Sequence, residues 1–380
     1  MLGKRTAPAF VPRQYDVFVG LDVDKTSISL TCVDHEQMIQ SVRMPHQATR
    51  LLGYVQRHFA RQRIAFAYEA GPTGYGLYDA LTHAGYTCLV AAPSMIPQAA
   101  GQRVKTNRLD SQKLAMSLRG AQLPGIHIPS PVYRHLRHLV QLRDTCVQQS
   151  RASQCRIKAL LLFEGLPFPG TQWSQTTVAQ LETLPCAPAV RFKLSSLVQT
   201  LRFAQAQVRE TTREVRRFCT EEREILRCIG YLMSIPGIGW ATGTQLLARI
   251  GDWRQLRHVR QLAAFLGLVA REHSTGETIR RGAITRVGDA RLRNKLIQCA
   301  WAAIRQDAEL RAFYGRIYHR HPAQHASTKA IVAVARKLTT RIYAVLTEQR
   351  PYVVRSVRLQ TQEENIAPLG ETRMPAEPAG

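Results

Sequence analysis

The sequence has few acidic residues for its length. Asp and Glu number 27 against 52 Lys and Arg, so the formal net charge is +25 and the pI is about 10.4. A charge this large and of one sign predicts a polyanionic partner, of which nucleic acid is the usual one. An anionic membrane surface is the competing interpretation.

Long apolar runs are also missing. No stretch is long enough to span a bilayer, and Met1 to Arg13 has no apolar segment of the kind found in signal peptides. We therefore expect no membrane partner and a cytoplasmic, nucleoid-associated protein. The 8 cysteines include no C-x-x-C pair, which argues against zinc and predicts buried thiols in a reducing compartment.

One stretch, Val17 to Val33, organises the N-terminal part. Val17 to Leu21 predicts a buried strand that ends on Asp22, and Ile28 to Val33 alternates like a second strand. An acid at the end of a buried strand is costly unless a hydrogen bond, a cation or a metal compensates it. Asp22 is therefore either a capping residue or a metal ligand, as in ribonuclease-H-like nucleases.

Further strands and helices follow in an order that suits a mixed sheet covered by helices. The predicted strands are Met38 to Met44, Ile64 to Tyr68 and Thr87 to Ala92, and the predicted helices are Thr49 to Phe59 and Tyr75 to Ala84. Glu69 follows the predicted strand Ile64 to Tyr68, just as Asp22 follows the predicted strand Val17 to Leu21. Side chains just past the carboxyl ends of strands line the functional crevice of such sheets, so the two acids could share a cation.

A third acid, Asp110, opens a predicted helix that runs to about Leu118. The helix dipole favours an acid in a first turn whatever its function. The functional alternative is a third magnesium ligand, since Mg²⁺ binds through a few carboxylates and keeps several waters.

Three segments carry a family resemblance. GLDVDKTS, YEAGPTGYGL and RVKTNRLDSQKLA, in this order, resemble the N-terminal half of the DEDD transposases of the insertion-sequence-110 family, which includes the Piv-type DNA invertases. The resemblance implies a RuvC-like, RNase-H-like domain whose four acids bind Mg²⁺. They map onto Asp22, Glu69, position 107 and Asp110. Asn107 replaces an aspartate, and its amide oxygen can bind a metal but brings no charge, so affinity should fall. Lys105 in the same motif is a candidate nucleic-acid contact.

The middle of the chain predicts long helices. Val132 to Glu164 carries many basic residues with few acids among them, which favours a nucleic-acid contact over a merely solvated face. Thr176 to Leu184 is a short helix, and Val190 to Ile229 has apolar positions at coiled-coil-like spacing. We expect a helical hairpin that separates two domains and contributes to dimerisation.

The segment Ser234 to Gly251 resembles a helix-hairpin-helix. Gly237 and Gly239 would let backbone N–H groups at a helix start face a DNA phosphate. A plain tight turn between two helices explains the same pattern.

A second chemical motif is REHSTGETIRRG. Arg271, Arg280 and Arg281 surround a hydroxyl residue, which suits attack on a phosphodiester, although Ser-Thr-Gly is also an ordinary loop. The stretch resembles the C-terminal domain of the same family, and the resemblance implies that Ser274 is the nucleophile. Thr275 is the alternative register.

Taken together, the residue patterns and the family resemblance imply an α/β RNase-H-like (RuvC-like) domain over residues 15–165 and a helical, coiled-coil-like linker over 166–229. A mainly α C-terminal transposase domain with a helix-hairpin-helix follows over 230–349, and residues 1–14 and 350–380 are expected to be disordered tails. The expected function is a transposase that cuts and rejoins DNA. The family also implies a structured guide RNA and a homodimer or homotetramer. A decayed transposase that only binds nucleic acid and a RuvC-like junction nuclease remain alternatives.

Overall fold

The computed structural model describes residues 10–97, 107–272 and 281–354. The chain divides into two compact units, Met1–Arg134 and His135–Gly380. Within the described residues, no helix is both long and apolar enough to cross a membrane.

The first unit contains a five-stranded mixed sheet, as the sequence predicts. Its strands are β1 (Val17–Val23), β2 (Ser27–Val33), β3 (Met38–Pro45), β4 (Ile64–Glu69) and β5 (Thr87–Ala91), in the order β3-β2-β1-β4-β5. The first three strands form an antiparallel meander, and β1, β4 and β5 are parallel. Asp22 lies inside β1 opposite Ser29 rather than just beyond the strand, because pairing with β2 continues to Val23.

Helices cover both faces of this sheet. The helices are α1 (Ala48–Phe59), α2 (Gly76–His83) and α3 (Asn107–Arg119). On one face, Val19 and Leu21 pack in the same buried cluster as Leu51 of α1 and Leu81 of α2. On the other face, Phe18 of β1 packs with the buried apolar residues of α3. Side chains alternate between the faces of a strand, so odd-numbered β1 residues face α1 and α2, and even-numbered residues face α3.

Helix α3 lies directly on β1 at Gly20. A Cβ atom at this glycine would lie 2.0 Å from the Ser111 carbonyl oxygen and 2.4 Å from the Ala115 nitrogen. Beside this contact, the Thr31 and Ser111 hydroxyls form a buried hydrogen bond of 2.8 Å. A missing side chain and a polar pair therefore set the position of α3 on the sheet.

The second unit is mainly helical, as expected. Its helices are α4 (Pro131–Phe163), which begins in the last residues of the first unit, α5 (Gln175–Thr183), α6 (Pro188–Glu221), α7 (Arg223–Met233), α8 (Trp240–Ile250), α9 (Val259–Phe265), α10 (Ala290–Gln306), α11 (Ala308–Tyr318) and α12 (Ala323–Glu348). A two-stranded antiparallel sheet joins β6 (Ala270–Glu272) to β7 (Arg281–Ile284). The prediction of one helix from Val190 to Ile229 is wrong, because Glu222 leaves the helical conformation at φ −92° and ψ 86° and separates α6 from α7.

Helices α4 and α6 pack antiparallel in the second unit. The His135 ring stacks on Phe218 with 4.6 Å between centroids, and Arg143 donates to the Thr212 hydroxyl at 2.9 Å. Further along α4, Ile157 packs in the same buried cluster as residues of α5 and α6. Residue 135 of α4 thus faces residue 218 of α6, and residue 143 faces residue 212, as expected for antiparallel helices.

The cysteines form no disulfide. All eight are free thiols, of which Cys155 on α4 is exposed, Cys186 is half-buried and the rest are buried. Burial raises the pKa of the Cys32 thiol to about 12 and that of Cys219 to about 11. Six of the eight thiols are therefore buried, as predicted, whereas Cys155 and Cys186 are not.

A buried ion pair lies in the core of the C-terminal helices. The Asp307 carboxylate, at the junction of α10 and α11, accepts hydrogen bonds from Arg341 of α12 at 2.6 Å and from the Tyr352 hydroxyl at 3.2 Å. The same carboxylate caps α11 by accepting from the Leu310 backbone N–H at 3.0 Å. Its exposed fraction is 0% and that of the Arg341 side chain is 7%.

Candidate functional site

Asp22 and Glu69 lie at the same end of neighbouring parallel strands. The register of β1 and β4 pairs Leu21 with Tyr68, so the residue that follows each belongs to the next row of the sheet. Because side chains alternate, both acids lie on the sheet face that carries Gly20, which is the face covered by α3. Glu69 is exposed and Asp22 is half-buried.

The start of α3 lies at this same end of the sheet. Asn107 at its first described turn contacts Asp24 in the turn after β1, whereas Arg119 at its last turn donates to the Asp34 carbonyl oxygen at 3.2 Å, at the other end of β2. Asp110 is in the first turn and is half-buried. The helix is described from Asn107, so Asp110 lies in its first turn, as predicted, although it is not the first helical residue.

The contact between Asn107 and Asp24 was not expected from the sequence. The Asn107 amide nitrogen donates to a carboxylate oxygen of Asp24 at 2.5 Å. An aspartate at position 107 would instead bring two carboxylates face to face, which is unfavourable unless a proton or a cation lies between them. The signal that could have pointed to Asp24 is its place two residues after Asp22 within GLDVDKTS.

The donor types at this end of the sheet suit magnesium. Carboxylate oxygens and an amide oxygen are hard ligands of the kind that Mg²⁺ takes, and the amide oxygen of Asn107 stays available while its nitrogen donates to Asp24. Even so, within residues 10–97, 107–272 and 281–354 no group of three or more His, Cys, Asp or Glu side chains is placed closely enough to hold a metal ion. The types of side chain at this end of the sheet therefore suit Mg²⁺, whereas their spacing in this structure is too wide to hold the ion.

Two arginines accompany the acids. A shallow cleft of about 270 Å³ next to Asn107 is lined by Ser29, Arg43 and Arg108 among others. Ser29 is the cross-strand partner of Asp22, and Arg43 is the partner of Ser29 on β3. An anionic group bound in this cleft would therefore lie beside the acidic residues.

The second predicted motif falls largely outside the described residues. Ser274 and Arg280 lie in the gap 273–280 and Lys105 lies in the gap 98–106, so their positions are not described. For Arg281 the backbone alone is described, in β7, where it pairs with Glu272. Arg271 in β6 is exposed, and its guanidinium donates to the Thr285 carbonyl oxygen at 3.4 Å. The described strands β6 and β7 pair antiparallel on the two sides of this gap in the sequence.

The two glycines of the helix-hairpin-helix pattern differ in their surroundings. Gly237 has a positive φ of 85°, and a Cβ atom there would lie 2.3 Å from the Cys299 carbonyl oxygen of α10. Close packing against α10 therefore explains this glycine without a phosphate. Gly239 precedes α8 as its N-cap, is exposed, and has no atom within 4 Å of an added Cβ. The start of α8 thus remains open to a ligand at Gly239.

Comparison with known protein families finds two matches, one in each half of the chain. Residues 19–164 match a model of DEDD transposases of the IS110 type. Residues 230–315 match the model described as the transposase IS116/IS110/IS902 family. The first match contains Asp22, Glu69, Asn107 and Asp110, and the second contains Ser274.

Curated relatives agree with both matches. A transposase of Sinorhizobium fredii is 33% identical over 63% of this chain and 58% of its own length, which is less than two thirds of that protein. A family 20 transposase of Pseudomonas aeruginosa is 27% identical over 88% of this chain and 98% of its own. A pilin gene-inverting protein of Moraxella bovis is 33% identical over 32% of this chain and 37% of its own. With both halves matched in order, the chain belongs to the IS110 family of transposases.

Proposed function

We propose that this protein is the transposase of an insertion sequence, which cuts and rejoins DNA through a serine nucleophile and a magnesium-binding acidic site. The observation that carries the proposal is that Asp22 and Glu69 lie side by side on neighbouring parallel strands, on the sheet face covered by α3, whose first turn contains Asp110. The strand order β3-β2-β1-β4-β5, with an antiparallel meander beside parallel strands, supports an RNase-H-like assignment for this unit.

In this proposal the acidic residues bind the metal. Asp22, Glu69 and Asp110 would hold Mg²⁺ through carboxylate oxygens, and Asn107 would add a neutral oxygen. Bound Mg²⁺ supplies charge stabilisation at a phosphate and at the oxygen that leaves it. Arg43 and Arg108 line the neighbouring cleft and would hold the DNA backbone beside the acids.

Ser274 supplies the nucleophile. Its hydroxyl oxygen attacks a DNA phosphate, a phosphorus–oxygen bond to the serine forms, and the bond to one DNA oxygen breaks. The serine proton is lost, and the departing DNA oxygen gains one. Attack on the phosphoserine by the hydroxyl of another DNA end reverses these bonds and joins the new strands. The net charge of +25 supports nucleic acid as the partner. The structured guide RNA and the homodimer or homotetramer are part of the proposal on the family resemblance alone.

Trapping of a covalent adduct tests the nucleophile. With labelled DNA carrying the ends of the element, we expect wild-type protein to form an adduct that survives denaturation and maps to Ser274. Ser274→Ala should abolish both the adduct and strand transfer while leaving DNA affinity nearly unchanged, because one hydroxyl adds little to an interface dominated by phosphate contacts. Asp22→Ala should also abolish both, through loss of the metal site.

Two further proteins make this test decisive. Thr275→Ala serves as the matched control and should remain active if Ser274 is in the correct register. Strand transfer by the double variant Ser274→Ala/Thr275→Ala would exclude a serine mechanism and favour a nuclease that activates water. Binding without any adduct in the wild type would favour a decayed transposase.

Asn107→Asp tests whether the amide weakens the metal site. Without a divalent ion, the new carboxylate should repel Asp24 and lower the melting temperature, and Mg²⁺ should restore it by neutralising the pair. We expect a larger Mg²⁺-dependent rise in melting temperature for Asn107→Asp than for wild type, together with higher activity. Asn107→Ser is the control, since it also breaks the bond to Asp24 but adds no charge.

An equal response of both variants to Mg²⁺ would remove position 107 from the metal site. Activity that appears in Asn107→Asp and is absent in the wild type would identify this chain as a decayed copy. That second candidate function is favoured by one observation, the amide that stands in the acidic site.

A further inference from the structure

The basic residues of α4 do not all face solvent. Arg137 donates to two backbone carbonyls at the end of α8 at 2.9 and 3.2 Å, and Arg143 donates to Thr212. The Lys158 ammonium lies 5.0 Å from the centre of the Phe168 ring. These three cations are engaged within the protein, so the predicted nucleic-acid contact of α4 would depend on its other basic residues.

Arg151 on α4 and Arg209 on α6 differ from these residues in their surroundings. Both are exposed, and neither guanidinium makes a hydrogen bond or an ion pair within the part of the chain that the structure describes. The antiparallel register set by Arg143 and Thr212 brings residues 147–154 opposite 205–209. The two arginines line the same cleft, which measures about 320 Å³.

The rest of the cleft lining is polar and uncharged. Ser150, Gln154 and Gln205 complete its walls, with two valines between them. None of these three side chains has a hydrogen-bond partner among the described residues, and no carboxylate lines the cleft. Two guanidinium groups, a hydroxyl and two amides together present many donors and suit an anion with several oxygen atoms.

The cleft exists because the seam between the helices changes character. Where α4 and α6 pack with α5, large residues such as Ile157 and Leu201 fill the seam. Beside the cleft the buried positions are small, with Ser153 at 2% and Ala204 at 2% exposure. These small side chains leave an open cleft between the helices, which Arg151 and Arg209 line.

We propose that this cleft between α4 and α6 binds the phosphate backbone of duplex DNA, with Arg151 and Arg209 as the contacts. The assignment rests on the proposed function, which makes DNA the substrate. A backbone contact fits better than base recognition in a single strand, because no aromatic ring lines the cleft and unstacked bases need such a platform. The planar guanidinium group can bind two phosphate oxygens at once.

The salt dependence of binding tests the proposal. For the double variant Arg151→Gln/Arg209→Gln, binding of full-length protein to a duplex of the element's end is measured by fluorescence anisotropy over a range of NaCl concentrations. Each phosphate contact contributes about 0.9 to the slope of log affinity against log salt, so we expect the slope to fall by about 2. Arg151→Lys/Arg209→Lys should retain the slope, because lysine keeps the charge.

A charge-matched control uses two arginines that already have carboxylate partners. Arg202 lies 2.8 Å from Glu182, and Arg217 lies 2.6 Å from Glu214, both on α6. Arg202→Gln/Arg217→Gln removes the same two charges, and its slope should match wild type. If the slope falls equally in the two double variants, the effect comes from overall charge and the proposed role of the cleft is wrong. Circular dichroism verifies that each variant is folded.

The partner and the parent proposal are tested separately. If the Arg151/Arg209 variant loses affinity for structured RNA but keeps its DNA slope, the assignment to DNA is wrong. If wild type binds DNA steeply with salt and the variant is unchanged, the cleft proposal fails while the proposed function stands. If wild-type binding does not depend on salt at all, both fail.

Discussion

Gly20→Ala is expected to cost the first unit about 3 kcal/mol of stability, at the upper end of what overpacking costs. The added methyl group would lie 2.0 Å from the Ser111 carbonyl oxygen and 2.4 Å from the Ala115 nitrogen. Both are backbone atoms of α3, so no side chain can rotate away and the helix itself has to move. Because α3 carries Asp110, the same substitution should also impair any chemistry that depends on that acid.

Hydrogen exchange measures this effect best. All four tryptophans lie beyond residue 134, so tryptophan fluorescence does not report on β1. Peptides from β1 and β2 should lose protection in the variant. Gly53→Ala is the matched control, since Gly53 is exposed within α1, an added Cβ meets nothing within 4 Å, and alanine is the better helix former. Unchanged protection in Gly20→Ala would show that α3 does not depend on close contact at this point.

Asp307→Asn should destabilise the second unit by about 3 to 5 kcal/mol. The amide keeps the size of the side chain and can still cap α11, but it leaves the buried Arg341 guanidinium with only the partly exposed Glu309 carboxylate as a counter-charge. Glu309→Gln is the control on the same arginine. Glu309 is 37% exposed and lies 3.4 Å from Arg341, so its loss should cost about 1 kcal/mol or less.

Urea unfolding of the two variants and of Asp307→Asn/Arg341→Met separates charge from packing. The double variant should be less destabilised than the sum of its single changes, because no unpaired charge is left in the core. Equal costs for Asp307→Asn and Glu309→Gln would contradict a special role for the buried pair.

The contribution of Asp307 to folding stability should decrease as the pH falls. Burial alone would raise the pKa of Asp307, but the hydrogen bonds from Leu310 and Arg341 outweigh it and hold that pKa below its usual value. The ionised carboxylate therefore contributes stability above about pH 4, the pKa of an unfolded aspartate, and this contribution is lost as pH falls through the lowered folded value. Asp307→Asn should lack this part of the acid sensitivity.

Much of the sheet could be predicted from apolar patterning. Val17 to Leu21 and Ile64 to Tyr68 are compact apolar runs bounded by polar residues, and both are strands. The ends of the strands were less predictable, because pairing with a neighbouring strand decides where a strand stops. Pairing with β2, for example, extends β1 to Val23. The break between α6 and α7 had no sequence signal, since Glu222 is a good helix former and no proline or glycine lies nearby.

The contacts within the candidate site could not be predicted from local sequence. Asn107 and Asp24 are 83 residues apart, and the fold brings the amide to the carboxylate. The role of Gly237 in packing against α10 also depends on a helix more than 50 residues later. Family motifs identified which residues to examine, whereas long-range packing determines what those residues touch.

The distribution of thiols gives this protein a built-in labelling position. Cys155 is exposed and lies one helical turn after Arg151 on α4, while most other thiols are shielded and several have raised pKa values that suppress the reactive thiolate. Once the half-buried Cys186 is replaced by serine, a maleimide dye would attach beside the α4–α6 cleft. A dye on the native Cys155 could therefore report on binding at the α4–α6 cleft without an introduced cysteine.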